Sequence, residues 1–346
     1  MALADELLPL PKAELHQHLD GALRPETAVE LAAAIGMPLT LDEARTRMVA
    51  PERCRDQAEL LGYFELPLAL LQTAESLERA AAELVEDMRL DGVRYAEVRW
   101  APRLHLERGL SVASVISAVA SGVARASAHP TLHAPVIALI VTAMRSHPPS
   151  ANVQLAQSAA EFGWPVVGFD LAGPEALWPA PPHAAAFDAA REVGLGITAH
   201  AGEVAGPQRI AEVLDFGVTR IAHGVTAAED EAILDLLRAR DVTLDMCPTS
   251  NVQTGSVPSL DAHPVARLHR AEVSVTISTD DRTVSSTTLS HELARTAEAL
   301  DLTDEELSAI ALNAFRRAFA PPAVIRPIAA AASRAWNGWV ARRVTG

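Results

Sequence analysis

Leu195-Gly196-Ile197-Thr198-Ala199-His200, a helical stretch over 207–216, and then Val218-Thr219-Arg220-Ile221-Ala222-His223 form the passage that decides the fold. Each flank is a short, largely apolar run of strand length, and a helix-length segment separates them. Strand, helix and strand in that order imply two parallel strands of one sheet. Both runs also end on a histidine.

The unit repeats in both directions. Downstream, Val242-Thr243-Leu244-Asp245-Met246-Cys247 precedes a short helix at 262–269, and a last strand runs from Val273 to Asp280. Upstream lie strands at 93–100, 135–141 and 166–171, with helices at 111–128, 150–162 and 183–193. The first strand lies in Pro11-Lys12-Ala13-Glu14-Leu15-His16-Gln17-His18-Leu19-Asp20-Gly21, where Gly21 is expected to allow a tight turn. Eight strands, each followed by helix, predict a (β/α)8 TIM barrel, ~250 residues plus insertions. An open doubly wound sheet is the competing architecture, and no Gly-rich phosphate loop follows any strand to support it.

The insertions fall in two places. Additional helices are expected after strand 1, over 40–89, where Leu60, Leu61, Phe64, Leu68 and Leu71 recur at helical spacing. That stripe packs a core or roofs a site as an apolar lid. More helices close the chain, at 304–318 and 329–342. The latter carries Trp336 and Trp339 and packs on its own barrel or on a second subunit, so the oligomeric state is left open. The whole, 1–346, reads as one domain.

Composition narrows the function. A formal net charge of −15 repels phosphate backbones, so no nucleic acid is expected as partner. The longest apolar stretch, 110–128, is broken by serines, a glycine and Arg125, so no membrane span is expected. The first ten residues lack the pattern of a signal peptide. Two cysteines far apart, Cys54 and Cys247, make no disulfide framework and fit a reducing cytosol, hence a cytoplasmic location.

In a barrel, the C-terminal ends of the strands share one rim, where barrel active sites lie. His16 and His18 end strand 1, two residues apart and therefore on one face. His200 ends strand 5, His223 ends strand 6, and Asp280 and Asp281 end strand 8. Six titratable side chains scattered through the chain thus converge on one mouth. Neutral imidazoles with a carboxylate suit zinc with an open position for water. His16, His18, His200 and Asp280 are the expected ligands, leaving His223 and Asp281 to orient water and substrate. Glu203, three residues past His200 beyond a glycine turn, is placed to act as general acid or base. Singly, each has a plainer reading: Glu203 as a first-turn acid, Asp280 as a helix cap.

The motifs Pro11 to Gly21, Phe169-Asp170-Leu171-Ala172-Gly173, His200-Ala201-Gly202-Glu203, Ile221-Ala222-His223-Gly224, Cys247-Pro248-Thr249-Ser250-Asn251 and Ser278-Thr279-Asp280-Asp281 resemble, in order, those of the adenosine deaminase family. They span residues 11–281. The resemblance implies a zinc-dependent hydrolytic deaminase of the amidohydrolase superfamily, with one zinc ion per chain and a small purine nucleoside as substrate. His16, His18, His200 and Asp280 match the zinc ligands. Glu203 matches the acid that protonates the purine ring beside the amino-bearing carbon, and His223 the residue that positions water. Asp281 matches a contact to the five-membered ring, Gly173 a backbone contact to the far ring nitrogen, and His18 and Asp20 contacts to the ribose end. Leu60, Leu61 and Phe64 fall where the family has its lid. The other zinc-deaminase pattern, His-x-Glu with Pro-Cys-x-x-Cys, is absent.

This sequence departs from the family in its loops. The segment between Gly36 and Phe64 is short. The loop over 174–182 is proline-rich and carries Trp178, and Arg282 follows Asp281 where many relatives have proline. Arg103 and Arg145 also sit near strand ends. These loops are expected to decide what lies beyond the base. Adenosine or deoxyadenosine is the first reading; adenine, aminodeoxyfutalosine or another 5′-modified adenosine are the alternatives. A non-catalytic nucleoside-binding protein would show a broken constellation, and all six key residues are present.

Overall fold

The computed structural model describes residues 2–128 and 134–345. The single domain expected over 1–346 includes residues 1, 129–133 and 346, which lie outside the described residues.

Eight strands are present: β1 (Lys12–His18), β2 (Val93–Trp100), β3 (Val136–Met144), β4 (Val166–Ala172), β5 (Gly196–Ala201), β6 (Arg220–His223), β7 (Thr243–Met246) and β8 (Ser274–Ile277). They pair in sequence order, all parallel. The ladder of β8 stops at Ile277, short of the Asp280 expected from sequence. The chain then returns to β1 at Asp280, which bridges Gln17. His18 N–H donates to the Asp280 carbonyl (2.7 Å) and Asp280 N–H to that of His16 (3.0 Å). The sheet is thereby a nearly closed (β/α)8 barrel.

Strands buried on both faces need apolar runs, which β3 and most of β4 have. Charged residues buried inside the barrel are paired. Arg220 meets Glu97 (2.5 Å) and Asp245 (2.9 Å), and Arg99 meets Asp170 (3.4 Å) while donating to the Leu15 carbonyl (2.7 Å). A lone charge so placed would be strongly destabilising.

Four helices occupy the expected insertion: Leu41–Met48, Gln57–Gly62, Glu65–Leu70 and Ala74–Leu90. The last is capped by Thr73, whose hydroxyl accepts from Ser76 N–H. It packs on helix Val112–Ser127 through Gly122, where a Cβ would lie 2.2 Å from the Glu78 carbonyl oxygen. The terminal helix is longer than expected, Pro322–Thr345. It packs on its own chain: buried Trp336 donates to the Pro11 carbonyl (2.9 Å) and Trp339 to Glu6 (3.3 Å). Among the described residues, no helix is long and apolar enough to cross a membrane.

Candidate active site

The C-terminal ends of β1 and β5 and the turn after β8 bring four donor atoms together. His18 Nε2 stands 3.2 Å from His16 Nε2 and 3.2 Å from His200 Nε2. Asp280 Oδ1 lies 3.0 Å from His16 Nε2 and 3.3 Å from His18 Nε2. Donor atoms about 2.0 Å from a tetrahedral centre stand about 3.3 Å apart, so these spacings suit a small divalent ion. Protonation agrees. Burial, then Arg99, holds His16 well below its ordinary value, and burial brings His18 down to about 4, so both are neutral imidazoles. Burial opposes charge on Asp280, yet His16 and His223 hold it well below the usual carboxylate range. Metal binding requires these states.

One of these four donors, His200, is oriented from behind. His200 Nδ1 donates to Asp170 (3.1–3.2 Å), leaving the Nε2 lone pair facing the cluster. Asp170 is in turn held by Thr142 Oγ1 (3.2 Å) and Arg99. A second convergent set, His223, Cys247 and Asp280, is a poorer metal site. Burial pushes the Cys247 thiol well up, so it stays a thiol rather than the thiolate a metal takes.

Around the cluster lie the other residues singled out by sequence. His223 sits at the end of β6 with φ 66°, a left-handed backbone rare outside glycine. Its Nε2 lies 3.8 Å from Glu203 Oε2 and 3.8 Å from Asp280 Oδ2. Its tautomer is set by a relay. His263 Nε2 donates to Asn251 Oδ1 (3.2 Å), and Asn251 Nδ2 to His223 Nδ1 (3.1 Å), which leaves the His223 proton on Nε2 facing the cavity. Glu203 follows Gly202 in the turn after β5 and accepts from Gln57 Nε2 (2.6 Å). Burial, with the charges of Asp280 and Glu175, pushes Glu203 up to about 8, so it carries a proton at neutral pH.

Asp281 is buried, and its Oδ1 has no protein partner. Burial and the neighbouring charges of Asp280 and Asp20 push it well above its ordinary value, so it too can donate. Gly21 is explained here rather than by a turn with positive φ. A Cβ at Gly21 would lie 1.9 Å from Asp281 Oδ1, so only glycine lets that carboxyl sit where it does. Asp20 is paired with His105 Nε2 (3.2 Å), whose Nδ1 donates to the Leu71 carbonyl (2.7 Å). Gly173, with φ 107°, forms part of the cavity wall.

The cavity is about 270 Å³. His18, His200, Glu203, His223, Asp280 and Asp281 form its floor, and Leu60, Leu61, Phe64 and Leu68 its roof. Leu71, the last of the apolar stripe, is buried in the barrel core instead. Of the departing segments, the loop over 174–182 and Arg282 contribute no side chain to the lining, whereas the short segment before Phe64 does. Leu177 and Trp178 are 73% and 46% exposed, and Arg282 is buried against Glu14 (3.3 Å) and Asp91 (2.9 Å). Arg145 braces the Trp178 and His200 carbonyls. A wider cleft of about 450 Å³ lies at the opposite end of the barrel, where its Arg317 and Asp241 neutralise each other.

With that geometry in hand, comparison with known proteins is direct. The adenosine deaminase family matches this chain over residues 11–331. The chain belongs to the adenosine deaminase family. It is 37% identical over 318 residues to the adenosine deaminase of Clostridium perfringens, covering 90% of this chain and 95% of that protein. Among solved structures, the adenine deaminase of Arthrobacter aurescens superposes with TM-score 0.87 at 26% identity, covering 96% of this chain and 99% of that one. The N6-methyl-AMP deaminase of Arabidopsis thaliana superposes with TM-score 0.84 at 30% identity, covering 94% and 96%. As a family member the chain is a metal-dependent hydrolytic deaminase.

Sequence reasoning assigned no role to Gln57, His105, Asp170, Glu175, Asn251 or His263. Asp170 and Asn251 lie inside motifs quoted above, and that was the available signal. The others are polar residues in helices or loops, and only the tertiary fold brings them to the site.

Proposed function

We propose that this adenosine deaminase family member converts an uncharged 6-aminopurine nucleoside, adenosine or deoxyadenosine, to the 6-oxopurine nucleoside and ammonia, with one zinc ion held by His16, His18, His200 and Asp280. The observation that carries this reading is the cavity lining. Two buried carboxyls held above their ordinary range, Glu203 and Asp281, stand beside the candidate ligand cluster, and among the described residues no lysine or arginine lines the space.

When bound, the ion supplies a Lewis acid that makes water a nucleophile near neutral pH. The protein's own groups do the rest. Glu203 gives its proton to the ring nitrogen next to the amino-bearing carbon, so negative charge does not build up on the ring as water adds. His223, its Nε2–H fixed through Asn251, hydrogen-bonds the incoming oxygen and stabilises it as charge develops. Asp281 donates to the imidazole side of the purine, and the Gly173 N–H faces the far ring nitrogen. His18 and Asp20 take the ribose end.

The lining also supports a choice among substrates. The adenine deaminase and N6-methyl-AMP deaminase neighbours are named for a base and a nucleotide. A 5′-phosphate here would meet Asp20 and apolar roof residues with no cation to neutralise it. Adenine alone would leave the space beside Asp20 unfilled. In this reading the insertion over 40–89 serves as a lid through its middle part, 57–68, on a single domain. The free, buried Cys54 and Cys247 fit action in the cytoplasm.

The test is turnover of adenosine by zinc-loaded protein, followed by ultraviolet absorbance. A kcat/KM of at least ~10⁴ M⁻¹s⁻¹ is expected of an enzyme on its natural substrate. No turnover of any aminopurine, with zinc confirmed bound, would contradict the reading.

A further inference from the structure

We propose that Glu175 is a positioning residue for the proton donor: from the loop after β4 it holds the turn after β5 in the one arrangement that aims Glu203 at the cavity. The proposal rests on the reading of Glu203 given above. Glu175 is 2% exposed and forms no ion pair among the described residues. Its partners are backbone N–H groups. Oε2 accepts from Gly202 (2.8 Å), and Oε1 from Val204 (2.7 Å) and Ala205 (3.1 Å). All three flank Glu203.

The same turn is fixed from its other side. The Gly202 carbonyl accepts from both the N–H (3.0 Å) and the hydroxyl (3.1 Å) of Thr226, in the loop after β6. Gly202 has φ 65°, and a Cβ there would lie 2.6 Å from Ile210, so the residue before Glu203 has one available conformation and no room for another side chain. The amides that Glu175 binds precede helix Gln208–Leu214 and receive no help from it. Without the carboxylate the buried Gly202 amide would lack a partner, and the part-buried amides of Val204 and Ala205 would turn to solvent. The turn would then have to open toward water, carrying Glu203 with it. Glu175 also lies close enough for its charge to help keep the proton on Glu203, after burial and Asp280.

A purely structural role and a role exercised through Glu203 give different results in a double-mutant cycle. Glu175→Ala, Glu175→Gln, Glu203→Gln and the double variant Glu175→Ala/Glu203→Gln are compared as zinc-loaded full-length proteins. In the Glu175→Ala variant kcat should fall about 100-fold, the cost of misplacing a catalytic group by about 1 Å, with KM changed less than about threefold and zinc content unchanged. In the Glu203→Gln background the same substitution should cost less than about threefold. Glu175→Gln keeps the shape and one accepting oxygen and should recover part of the loss. It also carries the test if the alanine variant does not fold. Independently of turnover, hydrogen exchange over 202–205 should speed up in Glu175→Ala while the barrel strands are unchanged. An equal fractional loss in both backgrounds, full activity in Glu175→Ala, or unchanged exchange at 202–205 would overturn the proposal. Absence of adenosine turnover in the wild type would instead overturn the proposed function, and the exchange result would still decide the role of Glu175 in holding the turn.

Discussion

The floor of the cavity and its roof are built differently. Each group of the floor stands on a barrel strand or the turn after one, and three have a buried partner behind them. Asp170 stands behind His200, the Asn251–His263 pair behind His223, and Glu175 behind the turn of Glu203. The roof is apolar and sits on two six-residue helices, Gln57–Gly62 and Glu65–Leu70. Helices that short are marginal alone and hold by packing, the first against Ala50, Cys54 and Val284, the second through Leu66 and Leu70 in the main core. One polar contact crosses from roof to floor, Gln57 to Glu203. In the proposed reading the floor fixes reaction geometry, while the roof excludes water and admits the sugar by shape.

Substitutions should therefore divide by region. The largest effect is expected at Glu203. Glu203→Gln should cut kcat by about 10³-fold, within the range for a general acid, with zinc retained by elemental analysis. Activity within about tenfold of wild type would remove the proton-donor role. Asp170→Asn comes next. It should weaken zinc affinity about 10–100-fold, measured by competition with a chelator, because His200 loses the charge that orients it.

The pH dependence tests the floor's electrostatics. Glu203 is raised to about 8 by burial, then by Asp280 and Glu175, and it acts in its protonated form. kcat/KM should hold as pH rises to neutrality and then fall as Glu203 loses its proton. A bound divalent cation favours the carboxylate, so the fall should begin below 8 in the zinc-loaded enzyme. A rate that keeps rising through pH 9 would contradict a protonated Glu203. The smallest effect belongs to the roof: Leu61→Ala should raise KM about threefold and leave kcat within about twofold, as expected for lost uniform binding. A loss confined to kcat would place the roof in the chemistry and erase the distinction between the regions.

The floor was also the more legible region in the sequence. Parallel strands buried on both faces announce themselves as short apolar runs, and a barrel puts their ends together, so the order of residues alone places His16, His18, His200 and His223 on one rim. Asp280 was legible for its type and place but not for its geometry. The ladder of β8 ends at Ile277, and a left-handed Asp280 rejoins β1. No periodicity encodes that conformation. The loops were less legible. Proline-rich 174–182 and Arg282 are expected to decide what lies beyond the base; Trp178 is 46% exposed, and Arg282 is neutralised by Glu14 and Asp91. A buried ion pair between residues 268 positions apart leaves no local trace. Glu175 was hidden for the same reason: its partners are backbone amides of another loop, and amides carry no sequence signature.

The most direct measurement of the central claim compares kcat/KM for adenosine, AMP and adenine with the same zinc-loaded preparation. A cavity with this floor, Asp20 in its wall and no lysine or arginine among its described lining residues should favour adenosine over both by at least about 100-fold. AMP or adenine turned over as well as adenosine would contradict that account of the substrate, leaving the chemistry of the floor in place.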